Sequence, residues 1–235
     1  MIQQAKTIGD FVTENIKTAH VFKKHGIDFC CGGGITLEKA CEQKGLNIQE
    51  MQRELEEVTF QRGNSLNFNK WELSFLIDYI VNEHHTYVRE SIPIIMQYAE
   101  KVARVHGHNY PEVTEVYKIF SVVAEELNAH LQKEEMVLFP FVKELELAKK
   151  ENRAPLLPPF GSVNNPIKMM EHEHENAGDA FKEIAQLTNG YEPPMGACNT
   201  FRALYAKLEE FEEDLHQHVH LENNILHRKA AALES

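Results

Sequence analysis

The stretch ELNAHLQKEEMVL, Glu126–Leu138, has the spacing of an amphipathic helix, yet its apolar stripe contains a histidine and a glutamate. Working back and forward from it, Val116, Phe120, Val123 and Leu127 lead into His130 and Glu134, and Val137 or Leu138, Phe141 and Leu145 continue the same face. Steps of three and four keep these positions on one side of a helix, so the polar pair points into the core. A second stretch, DLHQHVHLENNIL, Asp214–Leu226, repeats the arrangement: Leu204, Leu208, Phe211 and Leu215 lead into His218 and Glu222, and Ile225 follows. Both the histidines and the glutamates are separated by 88 residues, so the repeat is in register. A buried unpaired carboxylate costs several kcal/mol, so each glutamate requires a cation or a hydrogen-bond partner.

Two further histidine pairs sit in helical sequence. His174 shares a face with Ile167, Met170, Ala177 and Phe181, whereas His172 keeps company with Glu175, Asn176 and Asp179, so His174 is the inward one. His84 and His85 are closer rivals. His85 continues the stripe Val81, Val88, Ile92, Ile95 and Ala99, while His84 has Ile77, Ile80 and Tyr87; the stripe favours His85, and the 88-residue offset would instead relate His84 to His172. His85 precedes the turn near His108 by about as many residues as His130 follows it, which puts both at similar depth at ~1.5 Å rise per residue. The inventory is four imidazoles and two carboxylates from four helices. That is too many protein ligands for one tetrahedral zinc and suits a pair of iron or manganese ions that the glutamates can bridge. His84, His106, His108, His172, His216, His220 and His227 are expected at solvent or around the site.

The rest of the chain supports an all-α class, since helical periodicity dominates and strands are hard to find. Four long segments, at about 69–106, 111–150, 164–188 and 197–232, are joined by short connections, which predicts an up-down-up-down four-helix bundle. Pro93 and Pro140 fall inside these segments and are expected to kink them. Ahead of the bundle, short helices are expected at 7–24, 37–44 and 47–60, with His25-Gly26 as a stop signal. The polar QRGNSLN around Gly63 reads as a linker, dividing a small helical domain at 1–62 from the bundle at 68–232.

A formal net charge of −12 and the absence of a basic patch argue against nucleic acid and anionic membrane surfaces as partners. No stretch approaches the ~20 apolar residues of a membrane span, and MIQQAKTIGDFVTENIK lacks a signal-peptide core, so the expected location is the cytoplasm. Four cysteines, two of them adjacent, do not form a disulfide framework. Cys30 and Cys31 precede three glycines, a setting in which thiols act as soft ligands or exchange partners or simply fill a turn; Cys41 and Cys198 read as structural.

IDFCCGGG with TLEKA, HLQKEEMVLFP, EHEHENAG and LENNIL together resemble the iron-sulfur cluster repair di-iron proteins, the RIC family, over almost the whole chain. The resemblance implies a hemerythrin-like bundle after a cysteine-bearing domain. It also implies two non-haem iron ions held by His85, His130, Glu134, His174, His218 and Glu222, with both glutamates bridging. By the same resemblance Cys30 and Cys31 are functional in receiving or passing iron or electrons, and the role is repair of clusters damaged by oxidative or nitrosative stress, by iron donation. Damaged iron-sulfur proteins would be clients and nitric oxide or oxygen small ligands. Nitric oxide reduction at the di-iron site and an oxygen- or nitric-oxide-binding sensor are the alternatives, and both enzymatic turnover and a homodimer are left open. The oxygen-carrier pattern of hemerythrin itself, with a paired histidine on the third helix, is not met, because Met170 stands four before His174. ILHR at Ile225–Arg228 departs from the family, which has an apolar residue and proline after the leucine.

Overall fold

The structure, a computed structural model, describes residues 6–60 and 66–234. Its first turn is set by side-chain caps. Thr7 Oγ1 accepts from the Asp10 amide at 3.2 Å and Asp10 Oδ2 accepts from the Thr7 amide at 3.0 Å, opening α1 (Ile8–Glu14) with a reciprocal capping box. The single helix expected at 7–24 is in fact two. Asn15 turns extended, with φ −150°, and its side-chain oxygen takes the Lys17 amide at 3.2 Å, so local side-chain bonding displaces the helical ladder before α2 (Thr18–Lys24) begins. Gly26 then stops α2 at φ +63°, as the His25-Gly26 signal predicts. The helices α3 (Leu37–Lys44) and α4 (Ile48–Phe60) follow, and the linker expectation at Gly63 lies outside the described residues.

Four long helices form the up-down-up-down bundle: α5 (residues 73–106), α6 (residues 112–150), α7 (Asn164–Leu187) and α8 (residues 199–234). The helix α5 packs against α6 and α8, and α7 packs against α6. Pro93 sits within an unbroken α-helical run, Thr86–His106. Pro140 instead marks the restart of α-geometry at Phe139 after a π-helical turn, Glu134–Leu138. Among the described residues there are two more π turns, Val81–His85 in α5 and Glu222–Leu226 in α8. Each π turn adds a residue to the helical circuit, which is why Leu138 is 1% exposed and Val137 is 45% exposed. His84 and His85 close the π turn of α5 and are both buried, as are adjacent pairs such as Leu76 and Ile77 in its α-helical part, so burial does not choose between the two histidines.

The apolar core is divided. One cluster, including Phe120, Phe181, Phe201 and Phe211, fills the end of the bundle nearest the α5–α6 turn. The other, with Leu76, Ile80, Leu138, Phe139, Ile225 and Leu226, fills the opposite end. Between them lies a buried polar layer. The N-terminal helices join the first cluster through Ile8, Val12, Phe22 and Phe29. Gly9 makes this approach: its amide donates to Gly33 O at 2.8 Å, and a Cβ there would stand 2.6 Å from Asn224 Oδ1 of α8. No described helix is long and apolar enough to cross a membrane.

Candidate metal centre

The polar layer contains the six side chains singled out by the helix-face pattern. Donor atoms of His85, Glu134, His218 and Glu222 lie within 4.8 Å of one another, and so do those of His130, Glu134, His174 and Glu222. The two sets share both glutamates. Glu134 Oε2 is 3.4 Å from His85 Nε2 and 3.3 Å from His130 Nε2. Glu222 divides its oxygens, Oε1 lying 3.0 Å from His218 Nε2 and Oε2 lying 3.1 Å from His174 Nε2. All six residues are buried, and both glutamates are 0% exposed.

Protein contacts do not satisfy this layer. Both oxygens of Glu134, Oε2 of Glu222 and Nε2 of His85 are buried without a hydrogen-bond partner among the described residues. Two fully buried carboxylates facing one another require positive charge beside them. Burial works against charge on His85 and His130, but Glu134 and Glu222 raise their pKa values to about 10 and about 9. Burial and the charge of Glu222 push Glu134 up, yet the facing imidazoles hold it down at about 2. His218 goes the other way, its burial lowering its pKa. Four imidazoles and two carboxylates, buried and facing one another in two overlapping groups, are a donor set that fits first-row divalent cations.

The orientation of each imidazole comes from residues that the helix-face pattern did not single out. His85 Nδ1 is 2.6 Å from Glu135 Oε1, which also accepts from Arg89 at 2.8 Å. His130 Nδ1 is 2.9 Å from Glu173 Oε2, whose other oxygen accepts from Lys133. His174 Nδ1 is 2.9 Å from Asn223 Oδ1. An acceptor at Nδ1 fixes the proton there and aims the Nε2 lone pair at the centre. Glu135, Glu173 and Asn223 are each adjacent in sequence to a site residue and each serves an imidazole on a different helix, so a polar residue beside a candidate ligand was the available signal.

His84 is not in either donor set. It stacks on His218, with ring centroids 5.5 Å apart and planes within 5°, and its Nδ1 meets Asp214 Oδ1 at 2.8 Å. His172 projects to solvent with a 72% exposed side chain. His227, in the departing ILHR segment, is buried and stacks on His174. His220 departs from the solvent or site-lining expectation: it is buried where α8 meets the N-terminal helices, against Phe29, Thr13 and Asn224.

Cys30 and Cys31 lie apart from the six-residue layer, on the turn that packs onto α8. Asn224 Nδ2 donates to Cys30 O at 3.0 Å and fastens that turn. Asp28 Oδ1 accepts from both cysteine amides at 3.1 Å and from the Cys30 thiol at 3.2 Å. The neighbouring Cys31 thiol, burial and the Asp28 carboxylate all raise the Cys30 pKa well above normal, so Cys30 is held as a thiol. With Asp28, His216 and Lys182 the pair lines a hollow of about 280 Å³. Both thiols are free, as are those of Cys41 and Cys198.

An up-down-up-down bundle with a buried His/Glu layer built from all four helices defines a hemerythrin-type cation-binding protein. Accordingly, residues 76–230 match the family model of the hemerythrin HHE cation binding domain, and residues 4–59 match that of a domain of unknown function (DUF542). Over 230 residues, 98% of both chains, the sequence is 35% identical to the iron-sulfur cluster repair protein YtfE of Pectobacterium atrosepticum. It is 36% identical to the protein of that name from Yersinia pseudotuberculosis over 211 residues, 89% of both chains. The chain belongs to this family, the iron-sulfur cluster repair proteins.

Proposed function

We propose that His85, His130, Glu134, His174, His218 and Glu222 hold two iron ions bridged by the two glutamates, and that the protein repairs damaged iron-sulfur clusters by donating iron. The observation that carries the reading is the pair of fully buried carboxylates, shared between two sets of imidazoles and left without hydrogen-bond donors on three of their four oxygens. The name of the curated relatives supplies the process, cluster repair.

The residues have distinct parts in this reading. The imidazoles offer Nε2 lone pairs, and the glutamates neutralise charge and tie the two positions together. The apolar clusters above and below exclude bulk water, which strengthens electrostatics inside the layer. Iron supplies the redox capacity and is itself the cargo. Release would require protonation or reorientation of the chain's own donors, since an imidazole binds a metal only in its neutral form. Cys30 and Cys31 are assigned to receiving or passing iron or electrons, supported by their shared hollow with Asp28 and His216. Nitric oxide reduction and oxygen or nitric oxide sensing are not favoured by the relatives' names.

The test is to mix ferrous-loaded protein with a cluster-depleted dehydratase and measure recovered activity against an equal amount of free ferrous iron. Recovery beyond the free-iron control is expected. Equal recovery rejects donation.

A further inference from the structure

Three of the four imidazoles have an acceptor at Nδ1, and the fourth does not. Glu135 serves His85, Glu173 serves His130 and Asn223 serves His174. His218 Nδ1 is buried with no hydrogen-bond partner among the described residues. What His218 has instead is the face of His84, itself held by Asp214. A stacked ring limits tilt but accepts no hydrogen bond from Nδ1–H, so it neither fixes the tautomer nor increases the basicity of Nε2.

The two donor sets are unequal as a result. The set of His130 and His174 has both imidazoles anchored, one of them by a carboxylate that is itself paired with Lys133. The set of His85 and His218 has one anchored imidazole and one stacked one. The glutamates do not offset this difference, because Glu134 Oε2 stands 3.4 Å and 3.3 Å from the imidazole nitrogens of His85 and His130, and Glu222 gives one oxygen to each side at 3.0 Å and 3.1 Å.

We infer that the cation position between His85 and His218 is the exchangeable one, and the position between His130 and His174 the retained one. The inference rests on the di-iron donation reading and adds to it which ion is handed over. Loss of an outer hydrogen bond to a metal-bound histidine weakens affinity by about 10–100-fold, which is the expected ratio between the two release rates.

The test uses the full-length protein loaded with two ferrous ions and challenged anaerobically with ferrozine. Release is expected in two phases of equal amplitude, separated by about 10–100-fold in rate. Crystals of protein stopped after the first phase, measured at the iron absorption edge, should show occupancy lost between His85 and His218 and kept between His130 and His174. Asn223→Ala, which removes the acceptor of His174, should speed the slow phase by about 10-fold or more and leave the fast phase unchanged. His84→Ala should speed only the fast phase. Equal loss from both positions, first loss from the His130/His174 position, or single-phase release overturns the inference. The diffraction measurement needs no variant, so it decides between the two positions even where a variant fails to fold. Protein that binds no iron defeats both readings, whereas ordered release with no recovery of a depleted client defeats donation and leaves the asymmetry standing.

Discussion

Glu222 places Oε2 3.1 Å from Nε2 of His174 on α7 while Oε1 remains 3.0 Å from His218 on its own helix. One carboxylate thus joins two helices and two donor sets. Replacing Glu222 with alanine removes the carboxylate that α8 contributes to both sets, and Glu134→Ala does the same for the α6 contribution. Each variant is expected to fall from two irons per chain to one or none, read by metal analysis and by Mössbauer spectra of protein from iron-rich medium. Retention of two coupled irons by either variant contradicts the bridging assignment.

Docking of the cysteine turn depends on Asn224. Its Nδ2 donates to Cys30 O at 3.0 Å, and its Oδ1 accepts from Arg228 at 3.0 Å. Asn224→Ala leaves the buried Cys30 carbonyl without its donor, at a cost of about 1–3 kcal/mol. Gly9→Ala forces a Cβ to within 2.6 Å of Asn224 Oδ1 and is expected to loosen the same contact. Hydrogen exchange across residues 27–35 should accelerate in both variants, while exchange in α6 stays slow. Unchanged exchange in that segment shows that apolar contacts alone hold the turn.

The beginning of α5 is capped from α6. The amides of Leu73 and Ser74 donate to Glu146 at 2.7 Å and 3.1 Å, and the Ser74 hydroxyl donates to it as well. Burial raises the Glu146 pKa, but these hydrogen bonds and Lys150 outweigh it and hold the carboxyl below its ordinary 4.5. A depressed carboxyl stabilises the fold above its unfolded value and loses that contribution as pH falls through the folded value. Glu146→Ala should cost about 0.5–2 kcal/mol at pH 7. In urea melts the gap between wild type and variant should shrink as pH drops from about 5 to 3, because the unfolded carboxyl takes its proton first. A gap that does not change with acid argues that the loss is one of packing.

Phe211 stacks on Phe181 at 5.4 Å and meets Phe120 edge-on at 5.7 Å, all within the apolar cluster nearest the α5–α6 turn. Phe211→Ala should destabilise the protein by about 3–5 kcal/mol, seen as a lower denaturant midpoint. Iron stoichiometry should be unchanged, since the polar layer lies beyond this cluster. A loss of iron would mean that the cluster also positions the donors.

The residues differ in how far each was legible from sequence. His130, Glu134, His218 and Glu222 announced themselves because apolar neighbours at three- and four-residue steps leave no outward face for them. His174 separated from His172 for the same reason. The stripe favoured His85 over His84 only narrowly, because both positions lie near the inward face and both are buried, and the contacts rather than the burial set them apart. Val137 against Leu138 was undecided because the π turn Glu134–Leu138 lies there. The break at Asn15 was hidden by a helical pattern that continues across it, and only the side-chain bond to the Lys17 amide shows why the ladder stops.

By itself, then, the sequence determined an all-helical chain, the four long segments, and which polar side chains must face inward, since these follow from periodicity along one helix. Tertiary structure decided the rest: the π turns that include His85, Glu134 and Glu222, the carboxylates and amide that anchor three imidazoles but not the fourth, and the seating of Cys30 and Cys31 on α8 away from the polar layer. Those features depend on contacts between elements distant in the chain, and periodicity within one helix carries no information about what another helix presents to it.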